Sequence, residues 1–228
     1  MQSKNSKSMK ILCLDTASAI CAAAISLDKV LVSECIEVIG KGHAERLNGQ
    51  IAKVCEQAGV TLGEIDRIAV NSGPGSFTGI RVGVATARAL ALALGKPAIG
   101  VSQFAALAYE AQILQPAKPI TVVIQAFNNS VYCQNFSVAG AVAGEALVIE
   151  SNDLAKSLSP QRVVIGSGVA SLEPFLDQGH FHFIKKDHPD IATFGLIAGR
   201  TSDLNKPTPL YIREPLAEPP TVPAVPLA

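Results

Sequence analysis

The run from Gly79 to Leu94 constrains the fold of this chain more than any other stretch. Gly79, Gly83, Ala87 and Ala91 recur every four residues as a stripe of small side chains. Ile80, Val82, Val84, Leu90, Leu92 and Leu94 surround that stripe, so a helix here is apolar on nearly every side and must bury more than one face. Gly95 and Pro97 end it. Arg81 and Arg88, seven residues apart and nearly superposed on the helix, are its main charges and speak against a membrane span. Two readings stand. Either the helix lies wholly inside its own fold, or it buries one face at home and offers the other to a partner subunit.

The preceding helix bears on that choice. Leu47, Ile51, Val54, Cys55 and Ala58 fall at helical offsets between His43 and Ala58, and Gly59 stops the period. Gly49 and Ala52 form a second small patch away from Leu47 and Ile51. Two neighbouring helices with spare small faces favour the partner reading, with Gly49, Ala52, Arg81, Gly83, Ala87 and Arg88 as the expected interface. Such faces do not stay exposed, so a homodimer is expected when no other partner is present.

Around these helices the pattern is laid down twice. Lys10 to Asp15, Cys21 to Ser26 and Val30 to Val38 are extended runs joined by short turns, an antiparallel meander. Helix 43–58, strand 67–71, helix 79–94, strand 98–101 and a helix capped by Ser102 follow. A second round opens with Ile120 to Gln125 and Val131 to Val138, turned at Asn128-Asn129-Ser130. Shorter strand-like runs lie at Leu147 to Ile149, Arg162 to Ile165 and Phe181 to Ile184. Helical stretches are expected after Ser151, after Ser171 and near Asp190 to Asp203. Hairpins followed by alternating helices and strands, given twice, imply two α/β lobes. The expected organisation is a flexible leader over 1–8, an N-terminal lobe over 9–102 and a C-terminal lobe over 103–214. Residues 215–228, with Pro215, Pro219, Pro220, Pro223 and Pro226, read as a proline-rich disordered or extended tail.

Charge and cysteine usage narrow the function. Lys plus Arg equals Asp plus Glu at 19 each, so the chain has no overall attraction for nucleic acid, and any RNA contact is shared with a partner. Cys13, Cys21, Cys35, Cys55 and Cys133 are odd in number and lack CxxC spacing. They read as small buried hydrophobes in a reducing, cytoplasmic compartment rather than as disulfide or zinc ligands. The first ten residues carry no apolar block of a secretory signal.

Two motifs are candidates for anion or nucleotide contact. Ser72-Gly73-Pro74-Gly75-Ser76-Phe77-Thr78-Gly79 joins a strand to a helix, where unpaired amides and the helix dipole build phosphate sites. Gly75, Ser76 and Thr78 are the contacts such a site would use. The loop lacks the Lys-Ser/Thr ending of a Walker motif, and a plain tight turn remains an equal reading. Asp15-Thr16, at the end of the first strand, resembles the strand end of actin-like kinases, where a carboxylate positions a metal-bound water or nucleophile; the other reading is an Asx-type turn, and the turn is favoured. His43 has Leu47 at its i+4 position, so a helical metal pair is missing. His180, His182 and His188 lack a matching acidic ligand pattern. No GxSxG elbow or placed nucleophile appears, and no catalytic residue is assigned.

Leu14-Asp15-Thr16, the His43 helix start, the block from Gly73 to Gly79 with Arg81, Ile99-Gly100-Val101-Ser102 and Pro209-Leu210-Tyr211-Ile212-Arg213 together resemble the TsaB (YeaZ) family, over nearly all of Met9 to Arg213. The resemblance implies a two-lobed, actin-like (ribonuclease H-like, ASKHA) α/β fold of mixed sheets with flanking helices, in the glycoprotease-like superfamily. It implies a heterodimer with the catalytic subunit TsaD through the N-terminal-lobe helices, with the ATPase TsaE binding the pair. That complex transfers a threonylcarbamoyl group to the adenosine beside the tRNA anticodon, with ATP or ADP and a metal ion held by the partner subunits. TsaD relatives carry a metal-binding histidine pair that this chain lacks, so the resemblance implies scaffolding and activation rather than chemistry. One departure stands out: relatives commonly begin the second lobe with Ile-Asp-Ala-Arg, where this chain has Ile124-Gln125-Ala126-Phe127. A small-molecule kinase of the same fold, acting through Asp15 and the glycine turn, is the alternative. A protease, the role once attached to the superfamily's name, lacks any matching residues.

Overall fold

Alternation builds the first sheet. In strands β1 (Lys10–Asp15), β2 (Ile20–Leu27) and β3 (Val30–Val38), side chains of successive residues enter opposite faces. β2 pairs antiparallel with both neighbours, Lys10 facing Leu27 and Ile20 facing Val38. Asp28 and Lys29 close the β2–β3 hairpin with φ of 47° and 74°, the left-handed pair a two-residue hairpin requires. Helix α1 (His43–Ala58) ends at Gly59, whose φ of 64° lets its N–H cap the last turn. β4 (Arg67–Asn71) then lies parallel to β1, helix α2 (Phe77–Leu94) crosses back, and β5 (Ala98–Val101) lies parallel to β4. These elements belong to a computed structural model that describes residues 8–40, 42–176, 181–204 and 206–212. Most of the expected leader, His180, Arg213 and the expected proline-rich tail lie outside the described residues.

The second sheet repeats the first. After helix α3 (Gln103–Leu114) come β6 (Ile120–Gln125), β7 (Ser130–Phe136) and β8 (Leu147–Glu150) as an antiparallel meander. Helix α4 (Ser151–Ser157), β9 (Val163–Gly166), the short helix α5 (Val169–Leu172), β10 (His182–Lys185) and helix α6 (Ile191–Arg200) follow. One sheet runs β3-β2-β1-β4-β5 and the other β8-β7-β6-β9-β10, so both have three meander strands followed by two parallel ones. This duplicated mixed sheet is the two-lobed actin-like α/β fold. The helix expected after Ser171 ends at Leu172 and tightens into a single 3-10 turn over Glu173–Phe175, where Pro174 removes a backbone donor.

Two helices cross between the lobes. α1 and α2 lie on one face of the first sheet, packing Leu47, Ile51, Val54, Ile80 and Val84 against Leu12, Leu14, Ile25, Ile68 and Val70. The opposite face, with Ile11, Cys13, Ala24 and Ala69, is covered by Ile191, Phe194 and Ala198 of α6. α3 in turn packs Phe104, Leu107 and Ala111 onto Ile120, Val122 and Ile165 of the second sheet. α3 and α6 are held together by the half-buried Lys186, which contacts Glu110 at 2.7 Å and Asp190 at 2.9 Å. Glu110 also accepts from the Asp190 amide at 2.8 Å and from Thr193 Oγ1 at 2.7 Å. Burial disfavours the Lys186 charge, but hydrogen bonds to the two carboxylates outweigh it and hold its pKa above the usual lysine value.

The cysteines are all free and buried. Burial pushes the Cys13 thiol up to about 12 and the Cys21 thiol up to about 11, so both stay protonated near neutral pH. α2 is long and apolar enough to cross a membrane, but Gly79, Ile80, Gly83, Val84 and Ala87 are buried on the protein's own sheet.

Candidate functional site

Asp15 ends β1 and is fully buried. Its Oδ1 accepts from Ala17 N at 2.9 Å, Ser18 N at 3.3 Å and Asn71 Nδ2 at 2.9 Å, and its Oδ2 accepts from Ser18 Oγ at 2.8 Å. This is the Asx-type turn favoured from the sequence, reinforced from β4 by Asn71. Burial raises the Asp15 pKa above the ordinary carboxylate value, against the hydrogen bonds from Ser18, Ala17 and Asn71 that lower it. Asn71 Oδ1 in turn accepts from Gly73 N at 2.9 Å, which ties the glycine loop to both strand ends.

The glycine loop is filled by the chain itself. Ser76 N donates to the Ala17 carbonyl at 2.8 Å, and Gly79 N donates to Ser76 Oγ at 3.2 Å as the helix cap. A Cβ on Gly75 would lie 2.1 Å from the Ala17 oxygen, and one on Gly79 would lie 1.8 Å from the Thr16 oxygen. Thr16 Oγ1 donates to the Gly79 carbonyl at 2.7 Å. The glycines therefore let the β1–β2 turn press onto the start of α2, and of the residues proposed for anion contact Ser76 already has a partner for its amide, as does Gly79 beside it.

A cleft of about 1120 Å³ lies between the lobes. Ala17 to Ala19, Pro74 to Thr78 and Gln103 line it on one side, with Ile124 to Asn128, Tyr132, Ser167 and Asp187 on the other, and Leu210 to Ile212 also reach it. Gln125 occupies in the second sheet the strand end that Asp15 occupies in the first. Its Nε2 faces the carbonyls of Ala126, Asn128 and Ser130 at 3.1–3.3 Å, and Ser171 Oγ donates to its Oε1. A carboxylate there would meet three carbonyl oxygens with no proton to offer, so the departure at Gln125 comes with a matching turn. His43 opens α1, where its carbonyl accepts from Cys21 Sγ at 3.7 Å. His188 Nδ1 lies 3.0 Å from the Pro189 carbonyl, and His182 Nε2 contacts Lys118 Nζ.

The outer helices correct the expected interface in part. Gly83 and Ala87 are buried on the home side: a Cβ on Gly83 would lie 2.6 Å from Thr16 Oγ1 and 3.3 Å from Val70 Cγ2, and Ala87 sits in the α2 core. The stripe of small residues serves close approach to the first sheet, and neither residue is available to a second chain. The face of α2 turned outward is instead Arg81, Ala85, Arg88, Ala89, Leu92 and Ala93. Leu92 is 87% exposed. Gly49 and Ala52 are exposed on α1, and nothing lies within 4 Å of a Cβ built on Gly49.

Sequence patterns missed the strap over residues 206–212, which has no helical or strand period to mark it. Arg88 Nε donates to the Pro207 carbonyl at 2.8 Å, and Leu210 N donates to the Ser72 carbonyl at 2.7 Å. Arg81 lies 3.6 Å from the Phe77 ring centroid and donates to Tyr211 Oη at 3.1 Å, while the Phe77 and Tyr211 rings are 4.9 Å apart. Both arginines expected to face a partner are thus also fixed by their own chain.

Comparison with known proteins agrees with this architecture. A family model described as "TsaD: tRNA N6-adenosine threonylcarbamoyltransferase" matches residues 37–171. The "tRNA threonylcarbamoyladenosine biosynthesis protein TsaB" of Escherichia coli (strain K12) is 34% identical over 124 residues, 54% of this chain and 53% of that protein, so the chain spans about half the length of this relative. The protein of the same name from Buchnera aphidicola subsp. Schizaphis graminum is 30% identical over 165 residues, 69% of this chain and 78% of that one. A solved Pseudomonas aeruginosa structure, described as an uncharacterized protein with similarity to peptidase YEAZ, superposes with a TM-score of 0.77 at 27% identity, covering 90% of this chain and 100% of that one. On these matches and on its twice-laid sheet, the chain belongs to the TsaB (YeaZ) family.

Proposed function

We propose that this chain is a non-catalytic subunit in the synthesis of tRNA threonylcarbamoyladenosine, docking through α1 and α2 onto a TsaD-type catalytic subunit and activating it. The observation that carries this reading is the outward face of α2, where Ala85, Ala89, Leu92 and Ala93 make a shallow apolar strip alongside Arg81 and Arg88. Small side chains there admit a second helix at close range, and an exposed leucine on such a strip is the kind of residue an interface buries. The exposed Gly49 and Ala52 of α1 extend the surface. The partners then hold ATP or ADP and the metal ion, TsaE joins the pair, and tRNA is gripped by the cytoplasmic complex rather than by this neutral chain. In isolation the same strip pairs two copies of the chain.

The same-fold kinase reading has less support. Asp15 is occupied by its turn, the glycine-loop amides are partly consumed, and no Lys or Arg lines the cleft among the described residues. Phosphate transfer needs positive charge around the γ-phosphoryl group.

Leu92→Asp combined with Ala89→Glu tests the docking. Both positions are exposed, so the variant should keep its thermal midpoint while losing co-purification with TsaD by tenfold or more, about 1.4 kcal/mol. A variant that still binds TsaD and supports tRNA modification normally in the reconstituted system overturns the proposal.

A further inference from the structure

We propose that the cleft between the lobes is a binding site for a small ring-bearing amine: a flat apolar ring with an N–H or ammonium donor, and no phosphate. This goes beyond the docking reading and does not depend on it.

Volume and lining define the size and character of the ligand. About 1120 Å³ lies just above the usual range for pockets that enclose small molecules. Ile124, Tyr132, Leu210, Tyr211 and Ile212 give it apolar walls. At its edge Phe127 is 76% exposed, an aromatic face left to water that a planar ring would cover.

Two polar features choose the charge. Gln103, the first residue of α3, lines the cleft and is only 2% exposed, yet its Oε1 meets no donor among the described residues. A buried acceptor without a donor is costly and is relieved by a ligand N–H. Asp187 supplies the second feature. Its neighbours Lys185 and Lys186 are bound to Glu173 and to Glu110 with Asp190, so neither neutralises it. Arg81 stacks on Phe77 and donates to Tyr211 rather than lining the cleft. Hydroxyl and amide groups also line the cleft, but its charge is that of one carboxylate with no Lys or Arg among the described residues, which suits an amine and disfavours a phosphate ester.

The chain contains no tryptophan, so the protein adds no indole background and a change in the probe's indole emission reports its binding. Tryptamine, tryptophol and indole-3-propionate share one ring and differ in charge; each is titrated against the full chain at low salt, with Mg·ATP as a fourth probe. Tryptamine should bind saturably, tryptophol more weakly, and indole-3-propionate and Mg·ATP least. Asp187→Asn should weaken tryptamine roughly threefold and leave tryptophol unchanged, as an exposed ion pair is expected to contribute. Phe127→Ala should weaken both roughly fivefold through lost ring contact. The proposal is overturned if tryptamine shows no saturable binding up to ~10 mM, the weak end expected of a ligand this small. It is overturned equally if the anionic probes bind as well as tryptamine, or if neither substitution changes the affinity. All of these readings come from the chain without TsaD, so they stand or fall separately from the docking surface.

Discussion

The amide of Ser76 donates to the carbonyl of Ala17 across 2.8 Å, in the spot where a glycine-rich loop elsewhere would receive a phosphate oxygen. The backbone of one turn has become the ligand of the other. That contact, with Thr16 Oγ1 on the Gly79 carbonyl at 2.7 Å, makes the glycine loop a structural joint between β1, β4 and α2.

If the small stripe of α2 serves this joint, enlarging it should damage folding rather than partnership. Gly79→Ala and Gly83→Leu place new atoms 1.8 Å from the Thr16 oxygen and 2.6 Å from Thr16 Oγ1. Each should cost about 2–3 kcal/mol or more, because the close-packed neighbours are backbone and a β-branched side chain. Urea unfolding of the isolated chain measures this. Wild-type stability in Gly79→Ala would show that the joint is looser than described.

Asp15 gives a pH signature. Burial holds its folded pKa above the unfolded value, so the folded state binds the proton more tightly and stability falls as pH rises through the unfolded carboxylate range, about 3.9, towards the folded pKa. Asp15→Asn keeps an acceptor for Ala17, Ser18 and Asn71 and does not ionise. The stability of the wild type relative to Asp15→Asn should therefore decline as pH rises through the unfolded carboxylate range and level off above the folded pKa. A difference that stays flat, or grows with pH, contradicts the assignment.

Glu110 offers the third test. Removing it in Glu110→Ala leaves Lys186 without one of its two carboxylates and frees the Asp190 amide and Thr193 hydroxyl. Breaking a largely buried ion pair from one side costs about 3 kcal/mol. Amide hydrogen exchange should accelerate over Ile191–Arg200 before it does in α1. Equal acceleration in both helices would mean that Glu110 does not specifically anchor α6.

Much of this architecture was legible because local chemistry determines it. The β1–β2–β3 meander follows from alternation, the end of α1 from Gly59, and the Asp15 turn from a carboxylate placed just before Ala17 and Ser18. The orientation of α2 was not legible. Periodicity places Gly83 and Ala87 on one stripe but does not say which stripe faces home when both sides are apolar. The deciding facts are the approach of Thr16 and the burial of Ile80 and Val84 on the same side. The strap through Tyr211 and the pairing of Lys186 with Glu110 are contacts between distant parts of the chain, and no window of sequence contains both partners. The Gln125 departure was visible, but its compensation by the carbonyls of Ala126, Asn128 and Ser130 required the turn itself.

The return of α6 to the first sheet has a consequence for synthesis on the ribosome. Ile11, Cys13 and Ala69 emerge early, but the residues that shield them, Ile191, Phe194 and Ala198, are among the last of the folded body to be made. One greasy side of the nascent N-terminal half must therefore wait uncovered through more than a hundred further peptide bonds, as Ala69 and Ile191 are that far apart in the chain. Premature termination before Ile191 leaves that face of the first sheet bare, and such fragments are natural clients for chaperones and proteases.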